Sequence, residues 1–239
     1  MIRAVLATSL REMGRRWTAL LLILLLPLAF YLVRIDVVWQ AIRFLSIGVG
    51  WAIATLALFT FIAARDLDRR LAVVGASPSA LFIGRLLAVL TVGLVLSVVY
   101  FGVVALTQDN IPHTWAVLLL LIVSALVGAP VGALLSLVIS RELDGALALL
   151  VVMAVQLLVD PEKSYTRLMP WWSTRELSGY AISAPSANSL PQGLLHFGVT
   201  VTVCALAAWI FSILRLRVAP TGWDGTSGCR SVPEGRARR

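Results

Sequence analysis

The sequence predicts an all-α, polytopic membrane protein with six transmembrane helices, an N-terminal interfacial helix and short outer helices between spans five and six. Three observations lead there. Hydrophobic residues make up 59% of the 239-residue chain and charged residues 13%, against roughly 45–50% and about 25% in soluble domains. A soluble fold of this size could not hide so much apolar surface, and the mean hydropathy of +0.92 says the same. Long apolar runs of near-spanning length recur along the chain. The basic residues fall between those runs rather than in a continuous stripe, so the net charge of +8 reads as topology and not as a nucleic-acid footprint.

Residues 2–16 place Ile2, Val5, Leu6, Leu10 and Met13 on one helical face, with Arg3, Arg11, Arg15 and Arg16 largely elsewhere. That pattern predicts an amphipathic helix at the membrane interface. The first span follows as Trp17–Val33. Arg34-Ile35-Asp36 closes it without a small-x-small cleavage site, so it reads as a retained span and not a signal peptide. A crossing takes about 20 mostly apolar residues, and Phe44–Ala64, Leu81–Leu106, Trp115–Ile139 and Leu194–Leu214 meet that need or nearly do. Gly145–Val159 is shorter and spans if Arg141, Glu142 and Asp144 sit at headgroup level.

Six spans put both termini on one side. With that side cytoplasmic, 15 of the 20 basic residues are inside; Arg34, Arg43, Lys163, Arg167 and Arg175 are outside. The bias obeys the positive-inside rule. Residues 160–191 hold Pro161, Pro170, Pro185, Pro191 and the pair Trp171-Trp172, which predicts short helices in the outer interface with the indoles at headgroup level. Residues 1–217 form the transmembrane domain on this reading. Residues 218–239, rich in Gly, Pro, Ser and Arg, have no apolar periodicity and predict a disordered cytoplasmic tail. Cys204 lies in an apolar run and Cys229 in the tail, so no disulfide is expected. Arginine supplies every basic residue except Lys163, a codon bias pointing to a high-GC bacterial genome and hence a bacterial plasma membrane.

No catalytic, cofactor-binding or metal-ligating set is expected in this chain. Lys163 follows Glu162, not the glycine a P-loop requires. His113 and His196 lie near span ends in no zinc-binding spacing, and no Cys-x-x-Cys occurs. A proton-coupled carrier needs a titratable group near the midplane. The span interiors have none; Arg85 sits about one turn into span three, close enough to snorkel inward. The energy source is therefore expected outside the chain.

The first inner loop is the most informative stretch. Asp66, Asp68, Arg69 and Arg70 form a charged turn. A short helical segment leads to Val74-Gly75-Ala76-Ser77-Pro78, where Ser77 and Pro78 fit a helix restart. Gly84-Arg85-Leu86-Leu87 then opens the next span. This loop resembles that between spans two and three of type-two ABC exporter permeases, and the layout of residues 1–217 is similar to theirs throughout. Asp66 and Asp68 stand where that family often shows a Glu followed by Gly-Thr. The resemblance implies that the loop docks on a separate ATP-binding subunit, which holds ATP and magnesium. It also implies a second permease subunit, the same or related, in the bilayer. Export of a hydrophobic or amphipathic substrate (a drug, lipid, peptide or glycan carrier) would then be driven in trans. The alternatives are a membrane anchor or sensor that recruits a cytoplasmic partner, and an autonomous secondary carrier.

Ser124, Gly128, Gly132 and Ser136 recur every fourth residue in span four, giving a smooth face that lets another helix approach closely. That face suits either a flexing or dimer-forming helix or ordinary packing inside the subunit.

Overall fold

The computed structural model of the protein describes residues 1–15, 17–108, 111–158, 166, 169–182 and 189–217. The expected tail, Cys229, Arg16, Lys163, Ser164 and Arg167 lie outside the described residues. Among the described residues every regular element is a helix: α1 (Ile2–Arg15), α2 (Trp17–Val33), α3 (Val38–Ala63), α4 (Arg65–Val73), α5 (Pro78–Thr107), α6 (Thr114–Val138), α7 (Glu142–Leu158), α8 (Trp172–Ile182) and α9 (Ser189–Arg217).

Four of these, α3, α5, α6 and α9, are long and apolar enough to cross a membrane. The other two expected spans correspond to α2 and α7, each of 17 residues, or about 25 Å at 1.5 Å per residue. Helix α7 begins at Glu142, so Glu142 and Asp144 lie in its first turn, where their charge complements the helix dipole.

Helices α3 and α6 form the centre of the bundle and make its most extensive pairing; α2, α7 and α8 lie against α3, while α5 and α9 lie against α6. The close approach of α3 and α6 follows from the small residues of both. A Cβ at Gly132 would fall 2.9 Å from Ala54 Cα and nearer still to the Ala54 carbonyl, and one at Gly128 would meet the Gly50 carbonyl. The Ser124–Ser136 face is thus covered by α3 of the same chain. Ser124 and Ser136 donate their hydroxyls to the carbonyls of Leu120 and Ala133 within α6. Gly132→Ala must push the two backbones apart. It is expected to cost about 1–3 kcal/mol in thermal unfolding, while Gly102→Ala, with open space around it, leaves stability unchanged or slightly raised.

The outer side chains are apolar too. Leu195, Val199, Val203 and Leu206 of α9 and Val95, Val98 and Val99 of α5 are exposed, a distribution suited to a hydrocarbon solvent rather than water. Helix α2 is fixed by side chains at both ends of a proline-containing run. Pro27 packs on Gly48, the Tyr100 hydroxyl donates to the Leu24 carbonyl, and the Tyr31 and Thr107 hydroxyls bond at 2.5 Å. The two indoles expected at headgroup level differ in fate. Trp171 is buried against Gly50, and Trp172 is half-buried, edge-on to His196 at 5.0 Å.

Candidate functional site

Helix α4 carries the charged loop residues on a nine-residue turn. Asp66 and Asp68 occupy its first turn and Arg70 its last, the arrangement the helix dipole favours. Its end is set by Gly75, whose φ of +93° is a left-handed conformation that L side chains adopt only at a cost. The Gly75 N–H donates to the Ala72 carbonyl and the Ala76 N–H to the Leu71 carbonyl at 2.9 Å. Together these form a Schellman cap. Ser77 is extended, and Pro78 stands in the first turn of α5, where it loses no hydrogen bond. Ser77 occupies the N-cap position without a side-chain cap bond, so the restart rests on proline rather than on capping.

The loop residues divide between two directions. Asp66, Arg69, Arg70, Gly75 and Ser77 are exposed. So are Val73 and Val74 at the tip, at 87% and 86%, with Leu67 beside them. Asp68 turns the other way. Its carboxylate accepts both Arg85 Nη2 at 2.6 Å and Arg85 Nε at 3.1 Å, a two-point pairing that fixes orientation as well as distance.

Arg85 is only 2% exposed, and its Nη1 also reaches the Ser9 hydroxyl of α1 at 3.4 Å. The guanidinium therefore does not snorkel to the surface. It is the junction of α1, α4 and α5. Gly84 makes room for this junction, since a Cβ there would lie 2.7 Å from Val5 Cβ of α1. The apolar face of α1 is accordingly turned onto α5, with Met13 buried and Val5, Leu6 and Leu10 half-buried.

A second arginine ties α4 to the bundle. Arg65 Nη2 donates to the Ser136 carbonyl and, at 2.5 Å, to the Ile139 carbonyl, capping the carboxyl end of α6 with a cation. Burial pushes the Arg65 guanidinium below its ordinary value, the neighbouring Arg215 and Arg69 push the same way, and Asp66 opposes them. The group stays charged, because arginine titrates far above neutrality. Sequence reading missed both roles, since an arginine at a helix end satisfies positive-inside whether or not it is bonded.

At the same end of the bundle, α1, α2, α3 and α7 enclose a cleft of about 530 Å³, within the range of small-molecule sites. Met13, Ile23, Leu56, Phe59 and Ala63 line it, with Ser9, Glu12, Arg15, Thr60 and Glu142 as its polar contacts. Several polar residues of the spans bond their own helices, as Thr60, Thr91 and Ser97 do to the carbonyls four residues earlier. Among the described residues no three His, Cys, Asp or Glu side chains gather as a metal site.

Comparison with known proteins bears on the loop and the three helices that follow it. No curated protein matches the chain. Residues 67–159, which run from the first turn of α4 through α7, match the family described as ABC-2 family transporter protein. The matched stretch contains the α4 tip, the Asp68–Arg85 pair and the Ser124–Ser136 face, and it supports an ABC-2 type permease.

Proposed function

We propose that the chain is the transmembrane subunit of an ATP-driven exporter, moving a hydrophobic or amphipathic substrate with energy from a separate ATPase chain. The observation that carries this reading is the construction of α4. An exposed apolar tip with charges around it suits a protein contact, and the buried Asp68–Arg85 pair connects that tip to a membrane-spanning helix. A docking helix joined this way passes rigid-body movement into the bundle. A solvated connector would need neither the pair nor the Arg65 cap.

The 530 Å³ cleft beside α1 supplies room for a substrate at the same end. Its apolar wall suits chains or rings, and Glu12, Arg15 and Glu142 suit a charged head. A second permease subunit completes the transporter on this reading, with ATP and magnesium held by the ATPase chains.

The test is reconstitution. Alone in liposomes the chain is expected to show neither ATP hydrolysis nor gradient-driven uptake. With its ATPase, hydrolysis should appear and change with an amphipathic substrate, because linkage requires unequal binding to two conformations. Gradient-driven transport by the isolated chain would overturn the proposal. Tight binding of the ATPase without any coupled hydrolysis would favour an anchor instead.

Orientation has its own check. In a background with Cys204 and Cys229 replaced by serine, a cysteine at the exposed Asp36 is expected to react with an impermeant thiol reagent in intact cells. One at Val74 should react only after permeabilisation. Ser173 is unsuitable as an outer reporter, being fully buried in α8. The reverse labelling pattern would invert the assigned orientation.

A further inference from the structure

Where the carboxyl ends of α6 and α9 pack together, an apolar groove of about 400 Å³ opens on the side of the bundle. Leu134, Leu137 and Val138 of α6 and Phe211 and Leu214 of α9 line it, and Arg215 adds a charge to them. A smaller cavity of about 40 Å³ adjoins it, since Leu137 and Arg215 line both. Arg65, Asp68 and Arg69 of α4 reach the smaller one.

Three guanidiniums thus gather at one end of a groove that is otherwise apolar. Burial lowers Arg65 first, and Arg215 and Arg69 add to it, so the three charges act on one another. The opposing groups are largely committed elsewhere. Asp68 pairs with Arg85, and Asp66 is exposed and acts on Arg65. Arg65 holds the carboxyl end of α6 through Nη2, while its buried Nε has no partner. Arg69 and Arg215 have no carboxylate partner among the described residues.

The groove shows the opposite chemistry. Val138, Phe211 and Leu214 are 79%, 56% and 51% exposed, which suits contact with acyl chains rather than water. Its volume is within the range of small-molecule sites. The smaller cavity admits a few oxygen-sized atoms, as a phosphate presents. Basic side chains between spanning helices at the headgroup layer attract anionic lipid.

We propose that the α6–α9 groove and the arginines at its end bind one anionic phospholipid from the leaflet on the α4 side. An acyl chain lies along Leu134, Leu137 and Phe211. Arg69 and Arg215 donate to the phosphate oxygens. Lipid is favoured over a free anion because the apolar groove is continuous with the charged cavity. The site shares no lining residue with the 530 Å³ cleft. It is independent of ATP coupling and goes beyond the exporter reading; it needs only that the chain is embedded in a bilayer.

The experiment is native mass spectrometry of the full chain in mild detergent, doped with phosphatidylglycerol or phosphatidylcholine. One phosphatidylglycerol per chain is expected to remain bound under conditions that strip phosphatidylcholine. Arg215→Gln should weaken retention roughly tenfold or more, the scale of one charge-assisted hydrogen bond. Arg215→Lys, which keeps the charge, should retain more than Arg215→Gln. Arg34→Gln, an exposed arginine between α2 and α3, should behave as wild type.

Should Arg215→Gln melt early, the exposed Arg69→Gln is read the same way in its place. Equal retention by the wild type and both glutamine variants would overturn the proposal, as would equal retention of the two lipids. Glycerol phosphate, the headgroup chemistry without chains, is expected to bind far more weakly. Binding as tight as that of the lipid would make the ligand a free anion and overturn the lipid site. A lipid-free dimer that Arg215→Gln splits would put a second copy of the chain in the groove instead.

Discussion

Asp68→Asn is expected to destabilise the protein by about 3–5 kcal/mol, far more than Arg85→Met, although the two remove opposite halves of one ion pair. The asymmetry comes from burial. Arg85 is 2% exposed and Asp68 15%. Removing the carboxylate leaves a guanidinium in the bundle with only the weak Ser9 contact and whatever the new amide accepts. Removing the guanidinium leaves a carboxylate that can turn toward water, and methionine fills the apolar part of the space. Replacing a buried pair by apolar volume is often close to neutral.

Thermal unfolding in detergent checks this directly, and the exchange Asp68→Arg with Arg85→Asp should recover part of the loss. Equal losses for the two single variants would mean that the pair is solvated and holds nothing. Coupling gives a separate readout. Arg85→Met should fold and still bind the ATPase, yet lose substrate-dependent change in hydrolysis, because α4 is no longer fastened to α5.

The helices were readable from apolar run length, because a bilayer imposes length and hydrophobicity directly on the chain. The expected first span, Trp17–Val33, coincides with α2. The ends of α5 and α9 extend beyond the apolar runs, since backbone hydrogen bonding continues past the hydrocarbon edge. The loop at 66–78 was legible as a connector for another reason. Its charges, glycine and proline each have few structural uses, and Gly75 and Pro78 take the ones the sequence suggests. What a carboxylate faces is not a local property. Asp68 stands among exposed charges in sequence, and its turn toward Arg85, 17 residues later, depends on how α4 folds back on α5. Ser9 and Arg65 escaped notice for the same reason, because their partners lie 71 to 76 residues away. The small-residue face of α6 offered two readings, and only the position of Gly50 and Ala54 on α3 places it inside the subunit.

Val74→Asp is expected to abolish recovery of the ATPase with the permease while leaving the permease folded. Val74 is 86% exposed with a φ of −81°, so aspartate fits the backbone without strain and is hydrated in the free chain. In the docked complex the same carboxylate would be desolvated against an apolar contact. The cost is about 2–5 kcal/mol, or roughly 30- to 5,000-fold in the dissociation constant. Val74→Ala removes contact area only and should weaken binding much less. Gly75→Asp looks equivalent in sequence but is a poor test. At a φ of +93° any side chain strains the Schellman turn, so lost binding would not separate a spoiled contact from a spoiled helix end. The comparison that decides is therefore Val74→Asp against Asp36→Asn, which changes charge at the opposite end of the bundle, with thermal stability measured for each. Normal co-purification of the ATPase with Val74→Asp would remove the α4 tip from the interface, and with it the route by which hydrolysis could reach Arg85.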